Sequence, residues 1–289
     1  MKLDKDIILI AGPTASGKTS ASIELAQVND AVIINADSMQ VYEDLQIVSA
    51  RPSAQEVAQA PHYLFGHKSG REIYSVAHWL DDVRPLMDGF IQQKRKVIFV
   101  GGTGLYFNAL LDGLSPMPDV DEAIRHKIRA MKDVSSQDLH KMLDEKAAKE
   151  LYPSDSQRIK RALEIYQSTG KSIVDWQAEK GTPLISENLT VKKILVMPPR
   201  ATIHERINTR FDRMVEDGAL QEIETLLKKD FSPSAPVMKA IGVPQLAAHL
   251  AGEMELQEAI EKAKIATRQY AKRQSTWFNN SFGEGWGKL

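Results

Sequence analysis

The chain contains no cysteine, which excludes disulfide bonds, a thiol nucleophile and the usual structural zinc site. Its net charge is only −1 at pH 7, so binding to a polyanion has to come from local clusters of basic residues. Long apolar runs are also missing: the longest near the start, Ile7 to Ala11, is too short for a secretion signal or a membrane span. We therefore expect a cytoplasmic protein that does not bind a membrane.

The 289 residues are 43% hydrophobic, which is enough for a substantial core in one large domain or two modest ones. Short apolar runs predict buried parallel strands at Ile7 to Ile10, Ala31 to Ile34, Val97 to Val100 and Ile194 to Met197. Helical patterns lie between them, for example at Ser20 to Val28 and Tyr74 to Gln93. This alternation indicates an α/β sheet whose ligand lies at the carboxyl ends of the strands.

A glycine-rich segment follows the first predicted strand directly and precedes a predicted helix: Gly12-Pro13-Thr14-Ala15-Ser16-Gly17-Lys18-Thr19. This is the context of a P-loop, in which backbone N–H groups turn toward a phosphate and the helix N-terminus adds partial positive charge. We expect Lys18 to reach the outer phosphate and the Thr19 hydroxyl to help hold Mg²⁺.

The acidic residue that an ATPase or GTPase places at the end of a neighbouring strand is hard to find. The third predicted strand runs into Gly101-Gly102-Thr103-Gly104, and only the second delivers a carboxylate, Asp37. Asp37 could hold Mg²⁺ through water or accept a proton, and it could equally serve only an Asx turn or a helix cap. We therefore expect a transferase whose leaving group is the bound phosphate rather than a hydrolase.

The middle of the chain, from about Ser115 to Asn188, shows helical patterns and no convincing strand. Apolar faces predict three helices there, marked by Ile124, Ile128 and Met131, by Leu139, Met142 and Leu143, and by Ile159, Leu163 and Tyr166. After the fourth predicted strand we expect helices at Ile203 to Lys229, Val243 to Leu250 and Glu255 to Phe278.

The predicted domains are therefore a core formed by 1–114 and 190–289 and an insertion at 115–189. The predicted fold class is α/β: a P-loop NTPase-like parallel sheet core with an inserted all-helical domain and a helical C-terminal part.

Seven segments, in order from residue 12 to residue 278, together resemble the tRNA dimethylallyltransferase family: GPTASGKT, NADSMQVY, GGTGLYFNALLDGL, QRIKRALEIYQSTGKS, RINTRFDRMVEDG, KAIGVPQL and ATRQYAKRQSTWF. Members of that family transfer a dimethylallyl group from its diphosphate to N6 of the adenosine immediately 3′ of the anticodon. The resemblance implies that the segment from Gly12 to Thr19 binds dimethylallyl diphosphate with Mg²⁺. It also implies a catalytic set in which Asp37 accepts the N6 proton, joined by Lys18, Thr103 and Arg210.

The implied acceptor is the tRNA anticodon stem-loop, with its target base flipped out of the stack. Basic residues suited to RNA recur at helical spacing: Arg125, Arg129 and Lys132; Arg158, Lys160 and Arg161; and Lys264, Arg268, Lys272 and Arg273. The residues expected to bind tRNA are Asp37, Ser38, Met39, Gln40, Thr103, Arg125, Gln157, Arg158, Ile159, Lys160, Arg161, Lys239, Gly242, Arg268 and Lys272. We expect a monomer.

Some segments depart from the usual pattern of the family. Ile47 to Pro52 stands where an IGTAKP-like segment is usual, Val243-Pro244 follows Ile241-Gly242 where the family has an aromatic residue, and Tyr152 to Asp155 replaces HPND. These departures concern contacts with RNA more than the chemistry, since the P-loop, Asp37 and Thr103 are intact.

Three other functions fit parts of the sequence. A small-molecule kinase would use Lys18 and Thr19 on ATP, but no arginine-rich lid is evident. An isopentenyltransferase acting on free AMP or ADP would need neither the helical insertion nor the basic last helix. A P-loop module that only binds RNA would have no use for the carboxylate of Asp37.

Overall fold

The computed structural model describes residues 5–289. A six-stranded parallel sheet forms its centre, in the order β3-β2-β4-β1-β5-β6. The strands are β1 (Ile7–Ala11), β2 (Ala31–Asn35), β3 (His62–Tyr63), β4 (Lys96–Gly101), β5 (Val191–Leu195) and β6 (Gly287–Lys288). The predicted α/β class is confirmed.

The strands β1, β2 and β4 form because they are almost wholly apolar and are covered on both faces, as parallel strands are. The fourth predicted strand has wrong bounds: β5 begins at Val191 and ends at Leu195, so it includes Lys192 and Lys193 and excludes Val196 and Met197. Lys192 and Lys193 pair with Ile8 and Leu9 of β1 but are only half-buried, because β6 covers the other edge of β5 only at Ile194 and Leu195. The strands β3 and β6 are two residues long and lie at the sheet edges, too short for any pattern.

Helices connect and cover the strands. Within residues 5–289 they are α1 (Lys18–Asn29), α2 (Ala54–Val57), α3 (Val76–Gln92), α4 (Gly104–Asp112), α5 (Glu122–Ala130), α6 (Ser136–Lys141), α7 (Glu145–Glu150), α8 (Ser156–Thr169), α9 (Ile173–Gln177), α10 (Arg200–Glu216), α11 (Ala219–Leu227), α12 (Val243–Leu250) and α13 (Leu256–Ser281). No helix among these residues is long and apolar enough to cross a membrane.

The single helix predicted at Ile203 to Lys229 is wrong. Two helices, α10 and α11, occupy this stretch, and they are separated by Asp217 and Gly218. Gly218 has φ of +106°, a conformation that a helix cannot continue through and that glycine adopts at low cost. The apolar periodicity runs on across the break because both helices pack into one core cluster, with Phe211 on α10 and Ile223 on α11.

The chain divides into two compact units: one joins the chain up to Asn108 with Ile185–Leu289, and the other is Ala109–Leu184. The sequence places the insertion at 115–189, so the unit of the structure begins and ends slightly earlier. Inside this unit Ile128, Leu139, Ile159 and Leu163 form a buried cluster, which explains the apolar faces seen in the sequence. The short helices α7 and α9 were not predicted, and side chains of Asp144 and Ser172 cap their first turns.

Two glycines provide a matched test of packing in the unit that contains the sheet, which we call the sheet unit. A Cβ on Gly104 would lie 1.8 Å from Cζ3 of Trp277, whereas a Cβ on Gly89, inside α3, would meet nothing within 4 Å. We expect Gly104→Ala to lower the free energy of unfolding by about 1–3 kcal/mol, because a rigid, packed ring has to move. Gly89→Ala should raise it by about 0.5–1 kcal/mol through helix propensity. Urea denaturation of both variants measures the difference, and equal effects would contradict this packing.

Candidate active site

The glycine-rich loop between β1 and α1 forms a tight turn. The N–H of Ser16 donates to the carbonyl of Pro13 at 3.2 Å, and Gly17 has φ of +99° at the start of α1. A Cβ on Gly12 would lie 2.5 Å from the carbonyl oxygen of Val196, so glycine is required there. The Ser16 hydroxyl is buried and makes no hydrogen bond within residues 5–289. An unused buried donor inside such a loop suits a bound anion.

Two cationic side chains, one from the loop itself and one from α10, contact the backbone and side chains of this loop. Lys18 Nζ donates to the carbonyl of Pro13 at 3.2 Å, and Arg210 Nη2, on α10, donates to Thr14 Oγ1 at 2.6 Å. Burial lowers the pKa of Lys18 to about 8; the nearby charge of Arg210 acts in the same direction, and the carboxylate of Asp37 opposes both. Burial also lowers the pKa of Arg210. The protein itself therefore supplies Lys18 and Arg210 with less than a full counter-charge, and an anionic ligand would complete it.

Asp37 follows β2 and is held by its neighbours. Its N–H donates to Asn35 Oδ1 at 2.9 Å, and Asn35 Nδ2 donates to the carbonyl of Asp37 at 3.0 Å. Oδ1 of Asp37 accepts the N–H of Met39 at 3.0 Å, which is an Asx turn. Oδ2 points toward Gly102, where a Cβ would lie 3.3 Å from it. One carboxylate oxygen is therefore structural, and the other is the candidate proton acceptor.

The turn at the end of β4, Gly101 to Gly104, packs directly against residues 36–39, which we call the Asp37 segment. A Cβ on Gly101 would lie 2.0 Å from the carbonyl oxygen of Ala36, so the two backbones can approach only at glycine. The N–H of Thr103 donates to the same carbonyl at 3.2 Å, and Thr103 Oγ1 accepts the N–H of Ser38 at 3.0 Å. Thr103 thus supports the Asp37 segment rather than lining the adjoining cavity.

A cavity of about 1310 Å³ opens between the loop, the Asp37 segment, α10 and α13. Its basic lining residues are Lys18, Arg206, Arg210, Arg213, Lys239 and Arg273, and its acidic ones are Glu24, Asp37, Glu56 and Glu205. Three of the arginines lie at i, i+4 and i+7 along α10. This volume exceeds that of most single-ligand pockets, which supports a site for two substrates.

Comparison with known proteins identifies the family. A family model described as IPP transferase matches residues 40–281. The chain belongs to the IPP transferase family. It is 49% identical to the tRNA dimethylallyltransferase of Chelativorans sp. (strain BNC1) over 286 residues, 98% of each chain. The family resemblance inferred from the sequence is confirmed.

Solved structures of this family have the same fold. The full-length tRNA isopentenylpyrophosphate transferase from Bacillus halodurans superposes with a TM-score of 0.70 and 34% identity, over 99% of this chain and 90% of that chain. A eukaryotic dimethylallyltransferase, solved while acting on tRNA, superposes with a TM-score of 0.78 and 30% identity, over 95% of this chain and 70% of that chain.

The residues that the IPP transferase resemblance assigns to tRNA lie in varied settings in the sheet unit. Ser38 and Met39 line the cavity, and the exposed Lys239 lies at its edge. Gln40 also lines the cavity, and its Nε2 donates to the carbonyls of Ser49 at 3.1 Å and Ala50 at 2.8 Å. Gly242 is buried with φ of +103° at the start of α12, which is a structural role.

The basic face predicted on the last helix is only partly available. Lys272 is exposed, whereas Arg268 Nη1 donates to Asn208 Oδ1 at 2.6 Å. Lys264 was assigned to this face wrongly: it is buried and pairs with Asp212 at 2.7 Å and Glu261 at 3.1 Å. The sequence shows no acid on α13 after Glu261, but the partner carboxylate of Asp212 comes from α10.

Several basic residues of the insertion already have an ion-pair or hydrogen-bond partner within it. Arg158 and Gln157 are exposed at the start of α8, Arg125 is half-buried beside Glu122, and Lys160 Nζ donates to the carbonyl of Met131 at 2.9 Å. Arg161 and Arg129 both pair with the buried carboxylate of Glu164. Ile159 is a correction, because its side chain is fully buried in the helical core and offers RNA no surface.

Sequence reasoning missed several residues of the site. Arg206 Nη1 donates to the carbonyl of Ser16 at 2.8 Å. Tyr270 lines the cavity near Asp37, and burial, followed by the charge of that carboxylate, raises the pKa of its phenol.

The side chain of Gln274 forms hydrogen bonds with both the glycine-rich loop and the turn after β4. A signal for Gln274 was present: it lies on the same face of the helix as the apolar residues Ala271 and Phe278, where a polar side chain has to find partners.

Proposed function

We propose that the protein transfers a dimethylallyl group from dimethylallyl diphosphate to N6 of the adenosine 3′-adjacent to the anticodon in tRNA, and releases diphosphate. One observation carries the proposal: a single cavity combines an anion site at Lys18 and Arg210 with the carboxylate of Asp37 beside it. No second carboxylate follows β1, β4 or β5 directly, as hydrolysis of a nucleoside triphosphate would require. The names of the relatives support the same reaction.

In this reaction the lone pair of N6 forms a bond to the allylic carbon while the bond from that carbon to the diphosphate oxygen breaks. The diphosphate leaves with the electron pair. Its charge is stabilised by the N–H groups of the loop, by the Ser16 hydroxyl and Lys18, and by Arg210 from α10. The proton of N6 passes to Oδ2 of Asp37. A carboxylate suffices as the base because nitrogen becomes acidic as its new bond forms.

Mg²⁺ is the proposed cofactor. No group of three or more His, Cys, Asp or Glu side chains within residues 5–289 could hold a metal ion. Beside a P-loop no such group is needed, because a hydroxyl, the phosphate oxygens of the ligand and water complete the coordination. Thr19 lines the cavity next to Lys18 and fits this role. When bound, the ion would neutralise charge on the leaving diphosphate.

The acceptor proposed is the tRNA anticodon stem-loop, bound through exposed polar and basic residues such as Arg158 and Gln157 on α8 and Lys272 on α13. The volume of the cavity leaves room for a flipped base beside a small prenyl diphosphate. A free nucleotide would need none of these helix-borne cations. The monomeric state stays a prediction.

The test is incubation of the protein with Mg²⁺, radiolabelled dimethylallyl diphosphate and unmodified tRNA, with AMP and ATP as alternative acceptors. We expect the label in tRNA, at an adenosine that nuclease digestion identifies. Label in AMP alone would move the protein to the free-nucleotide reaction. No transfer to any acceptor would exclude prenyl transfer.

A further inference from the structure

Gln274 is a buried side chain that joins the two halves of the site. Its Oε1 accepts the N–H of Thr14 at 2.8 Å, in the glycine-rich loop from Gly12 to Thr19, which we call the phosphate loop. Its Nε2 donates to the carbonyl of Gly102, after β4, at 2.9 Å. Only 6% of its surface is exposed. Both ends of one amide are therefore used on two different loops, and neither loop is on the helix α13 that carries the residue.

The environment leaves this amide little freedom. On the same face of α13, Ala271 packs in a buried cluster with Ile203 and Ile207 of α10, and Phe278 is fully buried. A Cβ on Gly102 would lie 2.3 Å from Nε2, so the turn approaches the amide closely only because residue 102 is glycine. The pairing of β1 with β4 ends at Ala11 and Gly101, and just beyond it the Gln274 amide links the two loops.

Each loop that Gln274 contacts carries a different part of the proposed reaction. Thr14, held at its N–H by Gln274, accepts Arg210 at its hydroxyl, so the position of this cation depends on the same residue. On the other side, Gly102 faces Oδ2 of Asp37, and the next residue, Thr103, bonds Ser38. Gln274 therefore connects the groups that receive the leaving diphosphate with the segment that carries the base.

We infer that Gln274 is a positioning residue, which sets the separation between the phosphate loop and Asp37 and so governs the rate of transfer rather than the affinity for either substrate. The inference rests on the proposed function. In an in-line displacement the nucleophile, the carbon and the leaving group have to align, and a misplacement of about 1 Å costs up to about 100-fold in rate. Gln274 touches neither substrate in this role.

The test is Gln274→Met, which keeps the length of the side chain and removes both hydrogen bonds. Single-turnover transfer is measured with enzyme in excess over tRNA and well above the Kd of tRNA, and with dimethylallyl diphosphate saturating, because that rate constant does not depend on the fraction of enzyme that is folded. We expect it to fall about 10- to 100-fold, with the Kd of dimethylallyl diphosphate and of tRNA changed less than about threefold. Gln257→Met, at an exposed position of α13, is the matched control and should match the wild type.

Gln274→Glu is the second variant, for the case that the methionine substitution prevents folding. Glutamate keeps an acceptor for the N–H of Thr14 but turns a second oxygen, instead of a donor, toward the carbonyl of Gly102. The single-turnover rate at saturating dimethylallyl diphosphate should again fall, and diphosphate binding in this variant should also weaken because a negative charge is added beside the phosphate loop. Glutamate thus separates the contact to the turn from the contact to the phosphate loop.

Unchanged single-turnover rates in both variants, with only a lower unfolding midpoint, would overturn the inference and leave Gln274 a structural residue. Weaker diphosphate binding at an unchanged rate would also overturn it, because Gln274 would then serve the phosphate loop alone. A wild-type protein that transfers no label would overturn the proposed function, and the inference with it. An active wild type with a fully active Gln274→Met variant would remove only the inference.

Discussion

Asp37→Asn is expected to lower the rate of transfer at saturating substrates by about 1000-fold, within the range that general-base catalysis contributes. Asparagine is the right substitution because it retains an oxygen to accept the N–H of Met39, so the Asx turn that shapes the segment survives. What it removes is the carboxylate oxygen Oδ2, which faces Gly102 and has no structural bond of its own among the hydrogen bonds of the described chain. The measurement is single-turnover transfer to tRNA.

Asp81→Asn, at an exposed position of α3, is the control and should transfer at the wild-type rate. The affinities of Asp37→Asn for dimethylallyl diphosphate and for tRNA should stay within about threefold of the wild type. A fully active Asp37→Asn variant would show that the base lies elsewhere. An inactive variant that still binds tRNA would exclude a module that only binds RNA.

The parts of the fold that the sequence predicted are those that depend on local pattern. The strands β1, β2 and β4 are continuous apolar runs, and the loop from Gly12 to Thr19 places glycine at the positions where backbone crowding and positive φ demand it. Asp37 could be placed at the carboxyl edge of the sheet because the strand before it is buried throughout. These features need no knowledge of distant residues.

The parts that could not be predicted depend on contacts distant in the chain. Lys192 and Lys193 lie in β5 because β1 is beside them, and Lys264 is buried because Asp212 on α10 lies next to it. Gln274 contacts residues 260 and 172 positions away, and no spacing rule reaches that far. Ile159 illustrates the opposite error: the segment predicted from the family resemblance to bind RNA also contains a residue that is buried in the helical core.

Lys18→Met is expected to weaken the binding of dimethylallyl diphosphate about 100-fold at pH 7, because the cavity then loses the ammonium group proposed to bind the phosphates. In the wild type, burial and Arg210 lower the pKa of Lys18 to about 8 in the absence of ligand. A bound diphosphate raises that pKa again, since it supplies the missing counter-charge. Ligand and proton therefore bind together above this pH.

The sign of the pH dependence follows from that linkage. Above about pH 8 the free protein loses the proton of Lys18, and the affinity for the diphosphate should fall toward tenfold for each further pH unit. The diphosphate itself is fully ionised there, since phosphate groups lose their last proton near pH 6. Tyr106 and Tyr270 stay neutral, because burial and Asp37 raise the pKa of each phenol.

Calorimetric titration between about pH 7 and pH 9.5 measures this slope and the proton uptake that accompanies binding. Lys18→Arg is the matched control: its guanidinium keeps the charge across the whole range, so its affinity should not vary with pH. Lys18→Met should likewise give a flat profile at its lower affinity. A slope that persists in Lys18→Met would assign the titration to another group. A flat wild-type profile would mean either that Lys18 keeps its proton up to about pH 9.5 or that it does not contact the bound phosphates.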